Sequence, residues 1–474
     1  MARLHWFRKD LRLNDNEALA ECVAAAVKDG DREVTAVYVF NMSEFTALSA
    51  IRQHSLRAGV SALADSLSSL GGDLNVQLAS GGLAGLVSAV VRLAHAAEAK
   101  EVHAMRLYDP AGVVEQNAVG VALQAVGIFL RLSGSNYAVA PGSVLKASDG
   151  LPYRVYTPFY KAWVEHLPVG SASAPKPLPQ LGQNWRSPKV AQLAPSQGLP
   201  ECTQAAPFRV IAGEQYALQT FERFRQRALA DYADNRNRAD LSGTSHLSHA
   251  LAHGEVHPRT LLAQLGDSKG EEVFRKELAW REFYADVLWH NPHSLNDYYA
   301  PIFSNMRYDT GELAETRLAA WQSGKTGYPM VDAGMRQLLA DGWVHNRVRM
   351  IVASFLVKDL HLEWQQGAAW FERHLSDFDP ASNAHGWQWT AGTGTDASPY
   401  YRVFNPVMQG LKFDPNGDYV RKYVPELRHL EGASVHEPWS VSDGYALGYA
   451  ERIVDHSIER QESLVRLEEL KALR

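Results

Sequence analysis

Short apolar runs alternate with amphipathic stretches along the first 132 residues. Residues 4–7, 34–40 (VTAVYVF), 74–78, 101–105 and 128–132 are compact apolar or β-branched runs. Between them, helical periodicity runs from a cap at Asn14–Asn16 to about Val27, then over 51–70, 83–97 and 113–126. Strands that carry apolar residues on both faces need cover on both faces. Their alternation with helices predicts a parallel, doubly wound, five-stranded sheet of Rossmann-like α/β type.

The pattern changes twice further on. From about Ser133 to Pro207, Gly, Pro and Ser become dense, as in SASAPKPLP at 171–179, which predicts a long linker holding one short helix over 157–166. Beyond Gly213 almost every periodic stretch is helical. Helices are predicted over 216–236, 245–253, 258–265, 271–289, 313–323, 331–341, 346–359, 365–375 and 445–473. The expected organisation is an α/β domain over 1–132, a linker over 133–207 and an all-α domain over 208–474.

Composition narrows the function classes. The formal net charge is −6, so any nucleic-acid contact must come from a local basic surface on an acidic body. Two cysteines, Cys22 and Cys202, exclude a disulfide framework and a CxxC zinc site, and no metal is expected. No run reaches the length of a membrane span, and the charged N-terminus has no apolar leader core. A cytoplasmic protein without membrane contact is the expectation. Twelve Trp are many for this length and suit either core packing or stacking and redox roles. No GxGxxG follows the first strand, so the sheet need not hold the main cofactor.

Several polar constellations fall in the helical part. In GTSHLS (243–248), Thr244 and Ser245 stand where a helix should begin; they are either plain caps or the edge of a phosphate-binding first turn. Glu277, Trp280 and Arg281 share one helix face and suit a pocket for a flat ring, or a surface ion pair. Asn346, Arg349 and Met350 share another face of mixed polarity. Asp377, Asp379 and Asn383 read as acid/base or metal-binding groups, or as turn and cap residues. Trp387 and Trp389, two apart, would point to nearly opposite sides of a helix.

Together these residues resemble the photolyase/cryptochrome family, and the resemblance runs nearly end to end. It is carried by WFRKDLR (6–12), TPFYKAW (157–163), GKTGYPMVDAGMR (324–336), GWVHNRVRM (342–350), GWQW (386–389), FNP (404–406) and KFD (412–414). The branch most similar is the class I cyclobutane-dimer photolyases. The resemblance implies FAD within the helical domain. Tyr232 and the turn Thr244, Ser245, His246, Leu247 and Ser248 match phosphate-holding positions. Asp377 and Asp379 match residues near the isoalloxazine and ribose, Arg349 pairs with Asp377, and Asn383 faces flavin N5. Glu277, Arg281 and Asn346 also border the cofactor.

The same resemblance implies UV-damaged DNA as partner of a monomeric enzyme. Glu277, Trp280, Asn346, Met350, Trp389 and Gln409 match a pocket for a flipped-out pyrimidine dimer, and Arg236 and Arg347 match phosphate contacts. Light-driven electron transfer from reduced FAD would split the dimer, with Glu277 and Asn383 as catalytic residues. Asn346, Met350 and Asn383 favour this over the alternative, a signalling blue-light receptor of cryptochrome type.

Three departures from the family pattern stand out. Trp387 and Trp364 fill two positions of an electron relay, but Gly311 stands at the third, with Tyr308 as a substitute. His385 interrupts an otherwise Gly-rich motif. The 107–115 segment does not match a folate-binding one well, which leaves an antenna chromophore open between deazaflavin, methenyltetrahydrofolate and none.

Overall fold

The computed structural model describes residues 3–28, 34–168, 196–206, 210–396 and 401–473, so the Pro/Ser-rich stretch at 171–179 lies outside the described residues. Five strands, β1 (Arg3–Phe7), β2 (Val34–Asn41), β3 (Leu74–Ala79), β4 (Glu101–Met105) and β5 (Phe129–Ser133), form one sheet in the order β3-β2-β1-β4-β5. All pairings are parallel, with Arg3 opposite both Val34 and Glu101. The expected sheet is present strand for strand, and its order reverses between β1 and β4 as in doubly wound folds. β1 and β2 are buried along nearly their whole length, whereas the edge strand β5 exposes Phe129 and Arg131.

Helices α1 (Glu17–Lys28), α2 (Met42–Ala47), α3 (Ala50–Ser69), α4 (Gly82–Ala96) and α5 (Pro110–Ala125) pack on this sheet. α1 starts where its cap predicts: Asn16 Oδ1 accepts from Leu19 N at 3.1 Å. α5 starts at Asp109-Pro110, with Asp109 Oδ1 accepting from Gly112 N at 3.0 Å. The later helices are α6 (Tyr156–His166), α7 (Glu214–Arg227), α8 (Tyr232–Asn235), α9 (Ser248–His253), α10 (Pro258–Leu262), α11 (Lys269–His290) and α12 (Glu312–Gln322). They continue with α13 (Pro329–Asp341), α14 (Asn346–Lys358), α15 (Trp364–His374), α16 (Pro380–Ala391), α17 (Pro406–Phe413), α18 (Asp418–Tyr423) and α19 (His456–Lys471).

Three expected helices are corrected. The 216–236 helix is broken: α7 ends at Arg227, and a tight turn that buries Leu229 and Tyr232 leads into α8. The 245–253 helix starts only at Ser248, because His246 adopts a left-handed φ of 53° that helical geometry excludes. The 445–473 helix starts at His456. A turn closes on Gly448 at φ 78°, and Asp455 Oδ1 then caps α19 through the Ser457 and Ile458 amides. α16, α17 and α18 were not anticipated as helices, although Asp379-Pro380 and Asn405-Pro406 are N-cap and N1 signals.

By contact, the chain forms two compact units that interleave in sequence. The sheet unit comprises Met1–Tyr153, Thr157–Arg227 and Ser245–His290; the helical unit comprises Arg154–Tyr156, Ala228–Thr244 and Asn291–Arg474. In the helical unit, Trp321, Tyr328, Val348, Ile351, Phe355, Leu356, Trp364, Phe371 and Trp387 lie in one core cluster. Among the described residues no helix is long and apolar enough to cross a membrane.

Within the sheet unit, α11 carries two buried carboxylates one turn apart that fasten the segment after β5. Glu282 accepts from the Ala138 and Val139 amides at 2.5 and 3.0 Å and from Trp163 Nε1 at 2.6 Å. Asp286 accepts from Gly142 N at 2.7 Å. These backbone N–H groups have no ladder of their own, so the carboxylates supply the acceptors that burial demands.

Burial pushes the Glu282 carboxyl from 4.5 up to about 7 against these three donors. The native state therefore holds this proton longer than the unfolded chain does. The resulting stabilisation is complete below about 4.5 and is lost as pH rises through about 7. We expect the fall in thermal midpoint between pH 5 and 8 to be shallower in Glu282→Gln than in the wild type, and calorimetry across that range measures it.

Candidate functional site

The helical unit brings several of the expected residues together around one ion pair. Arg349, on the first turn of α14, donates from Nη2 to Asp377 Oδ2 at 2.6 Å and from Nε to the Val344 carbonyl at 2.8 Å. The Asp377 side chain is 1% exposed and that of Arg349 24%, so the pair is anchored on the carboxylate side. Asp377 Oδ1 is also buried, and it has no hydrogen-bond partner among the described residues. A carboxylate oxygen in that state calls for a donor from outside the chain.

Two residues further on, Asp379 caps α16: its Oδ1 accepts from Ser382 N at 2.8 Å, with Pro380 in the first turn. Asn383, one turn into α16, donates from Nδ2 to the Ala368 carbonyl of α15 at 3.1 Å. Asp377, Asp379 and Asn383 are thus gathered at the start of one helix. Asp379 performs the cap chemistry that its residue type suggested.

Trp387 and Trp389 diverge as their spacing predicts. Trp387 is 3% exposed and packs edge-on against Phe371 and Trp321 at 5.1 and 6.0 Å between ring centroids. Room for it exists because position 367 is glycine: a Cβ there would overlap the indole ring and lie 2.6 Å from Leu356 Cδ2. Trp364 is equally buried, with Tyr298 edge-on at 6.4 Å. The indole nitrogens of Trp364 and Trp387 are buried without a hydrogen-bond acceptor among the described residues. Tyr308 is part-buried against the same core, and burial raises its phenol. Gly311 lies just ahead of α12.

Trp389 is half-buried, and its indole N–H donates to the Asp396 carbonyl at 3.1 Å. Two residues that sequence reasoning did not single out hold this corner. Gln388 is wholly buried and exhausts its amide: Oε1 accepts from Tyr299 N at 2.7 Å, and Nε2 donates to the Ser294 and Asp297 carbonyls. Asp396, at φ 50°, closes the turn after α16. The pattern GWQW contained Gln388, but a glutamine between two tryptophans carries no signal of its own. His385 is buried and within 3.4 Å of Ser294 Oγ; burial, with His293 adding to it, lowers its ring to about 4 and keeps it neutral.

The remaining residues of this unit lie on its surface or rim. Asn346 is exposed, while Arg236, Arg347, Met350 and Gln409 are half-buried. Tyr232 is buried at the start of α8, and Thr244 is half-buried. In the sheet unit, Ser245 Oγ accepts from Leu247 N at 3.4 Å, so it shapes a turn ahead of α9. The cap position itself is Leu247, which has no capping side chain, and this corrects the expectation that Thr244 and Ser245 cap the helix. His246 is exposed and Ser248 opens α9.

On α11, Glu277 is half-buried, and Trp280 packs against Phe283 and Tyr284 at 5.7 and 5.5 Å. Arg281 donates to the Asn136 and Leu251 carbonyls at 2.7 and 3.1 Å and lies 4.5 Å over the Tyr137 ring. These contacts brace the sheet unit. Among the described residues no group of acidic, His and Cys side chains could hold a metal.

The chain belongs to the photolyase/cryptochrome family. The family model for DNA photolyase matches residues 3–181, and that for the FAD binding domain of DNA photolyase matches 274–469. A deoxyribodipyrimidine photo-lyase of Alkalihalophilus pseudofirmus is 35% identical, covering 97% of this chain and 96% of that protein. A crystal structure of a class III photolyase from Agrobacterium tumefaciens superimposes with a TM-score of 0.84 at 36% identity, over 99% of this chain and 98% of its own. A cryptochrome of Synechocystis has a TM-score of 0.85 at 27% identity, over 98% of each chain. The chain therefore carries an FAD-binding domain, and the buried, unpartnered Asp377 Oδ1 beside an Arg-anchored oxygen fits a ring or ribose donor of that cofactor.

The glycine under Trp387 supplies a test of this packing. Gly367→Ala forces the indole or Leu356 to shift, at a cost of about 1–3 kcal/mol for an overpacked core. We expect a lower melting temperature and altered near-UV circular dichroism in Gly367→Ala.

Proposed function

We propose that this chain repairs cyclobutane pyrimidine dimers in DNA under blue or near-UV light, using FAD and UV-damaged DNA as cofactor and substrate. The observation that carries the reading is the Arg349–Asp377 pair, whose second buried carboxylate oxygen awaits a donor, in a chain at least a third identical to photo-lyases over nearly its full length. Reduced FAD, when bound, supplies the electron that opens the cyclobutane ring and takes it back afterwards.

The chain's own residues do the rest. Asp377 accepts from the cofactor while Arg349 holds its other oxygen, and Asn383 presents an amide to flavin N5. Tyr232, Thr244 and the 245–248 turn hold the phosphates. Trp280 and Trp389 stack on the extruded bases, and Glu277 hydrogen-bonds a pyrimidine carbonyl. Asn346, Met350 and Gln409 line the lesion pocket, with Arg236 and Arg347 on DNA phosphates. A damaged pair is already weakly stacked, which lowers the energy needed to flip it. Trp387 and Trp364 supply electrons for photoreduction. Amide and thioether at 346 and 350, and an amide at 383, support dimer repair of class I type over signalling.

The deciding assay is light-dependent loss of dimers from irradiated DNA, run in parallel against six-four lesions, with flavin content read from the visible spectrum. Loss of dimers alone is the expected result; no flavin, or no light-dependent loss, ends the reading. Asp377→Asn is expected to weaken FAD retention by about tenfold or more, since a charge-assisted hydrogen bond contributes about 1.5–3 kcal/mol. Glu277→Ala is expected to lower the quantum yield of repair severalfold with a much smaller change in DNA affinity.

A further inference from the structure

Residues 346, 350, 354 and 358 of α14 stand four apart and share one ridge of the helix. Asn346 is exposed and Met350 half-buried, whereas Ser354 and Lys358 are 1% and 2% exposed. The buried end of the ridge grips the chain ahead of α17. Lys358 Nζ donates to the Arg402 carbonyl at 2.6 Å and lies 4.2 Å from the centroid of the Tyr401 ring. One turn earlier, Ser354 Oγ accepts from Phe404 N at 3.3 Å. The Tyr401 hydroxyl is fixed in turn, 3.2 Å from Ser463 Oγ on α19.

At the far end of α17, the Phe413 ring lies under Arg347, 4.7 Å from its guanidinium. The contacts therefore fall in reverse order: 402 meets 358, 404 meets 354, and 413 meets 347. Residues 402–413 run antiparallel to α14. From 354 back to 347 the helix rises about 10 Å, and α17 spans about 12 Å, so the two stretches match in length. Asn405 Oδ1 caps α17 by accepting from Met408 N at 3.0 Å, so the helix takes its direction directly after the gripped residues. That run places Gln409 alongside the 347–354 stretch, which holds Met350.

A lysine is a costly choice for such a position. Burial opposes its charge and lowers the amine from 10.5 to about 7, with the Asp359 carboxylate countering in part. Asp359 itself is engaged by His456 Nδ1. A methionine would fill a similar volume without that desolvation, but it could not hold the Arg402 carbonyl.

We propose that Lys358 and Ser354 are positioning residues for lesion recognition: they fix the register of 402–404 on α14, and through it the placement of Gln409 beside Met350. The proposal rests on the reading of Met350 and Gln409 as lesion-pocket residues. Both gripping side chains are buried, so they act through α17.

The test uses the flavin-loaded protein. It measures affinity for dimer-containing and undamaged duplexes, repair per photon at saturating DNA, and amide hydrogen exchange. In Lys358→Met, exchange over 407–413 should quicken about tenfold while α15 and α16 keep wild-type rates. Preference for the dimer-containing duplex should fall about fivefold, the size of one modest hydrogen bond. Repair per photon at saturation and flavin content should stay at wild-type values. Ser354→Ala removes a single acceptor and should show the same pattern to a smaller extent; it decides the matter if Lys358→Met does not fold. Gln409→Ala should also lower the preference, with no further loss when Lys358→Met is added to it.

A lower melting temperature with unchanged preference marks a merely structural pair and overturns the proposal. So does wild-type exchange over 407–413 in both variants. If Gln409→Ala leaves the preference intact, the pocket reading of Gln409 falls and the proposal with it. An effective Gln409→Ala beside silent Lys358→Met and Ser354→Ala removes the proposal alone.

Discussion

A carboxylate withdrawn from water needs partners to replace its hydration, and Asp377 has the Arg349 guanidinium on one oxygen. Arg349 is held in turn by the Val344 carbonyl, so the guanidinium cannot follow the carboxylate elsewhere. The segment that leaves Asp377 caps its own helix at Asp379 and delivers Asn383 and Trp387 from successive turns of α16. Breaking one partner of a buried pair leaves an uncompensated charge and costs several kcal/mol, so these four positions move or stay as a group. The remaining acceptor on Asp377 is the opening that a flavin or ribose donor can fill.

Much of this was legible in the sequence because its causes are local. The five strands followed from apolar runs, and α1 and α5 from Asn and Asp caps. The divergence of Trp387 and Trp389 followed from a spacing of two on a helix. What escaped depended on tertiary contacts or on overlooked caps. Nothing in 216–236 announces the break at Arg227, which exists to bury Leu229 and Tyr232. The left-handed His246 has no glycine to betray it. α16 and α17 did have their signals, an Asx residue followed by Pro, and reading those caps would have found both. Spacing puts Arg281 on a face with Glu277, but its bonds to the carbonyls of Asn136 and Leu251 are tertiary and carry no local signal.

Charge is used locally rather than globally. A net charge of −6 opposes approach to DNA at long range, but salt screens that repulsion beyond about 8–10 Å. What remains near contact is the arrangement of individual groups, and Arg347, Lys412 and Phe413 form one such arrangement. Two acids of these segments are engaged, Asp240 on Arg238 and Asp414 on backbone amides.

The interleaving of the two units has a consequence for how the gene could be divided. Helix α11 comes late in the chain, yet Glu282, Arg281 and Asp286 find their partners at 136–142 and at Trp163. Splitting the coding sequence in the Pro-rich stretch would give a C-terminal polypeptide whose α11 carried bare buried carboxylates, and an N-terminal one with unanswered amides. Neither piece is a self-sufficient cassette, so shuffling or exchanging parts of this protein would have to carry both segments together.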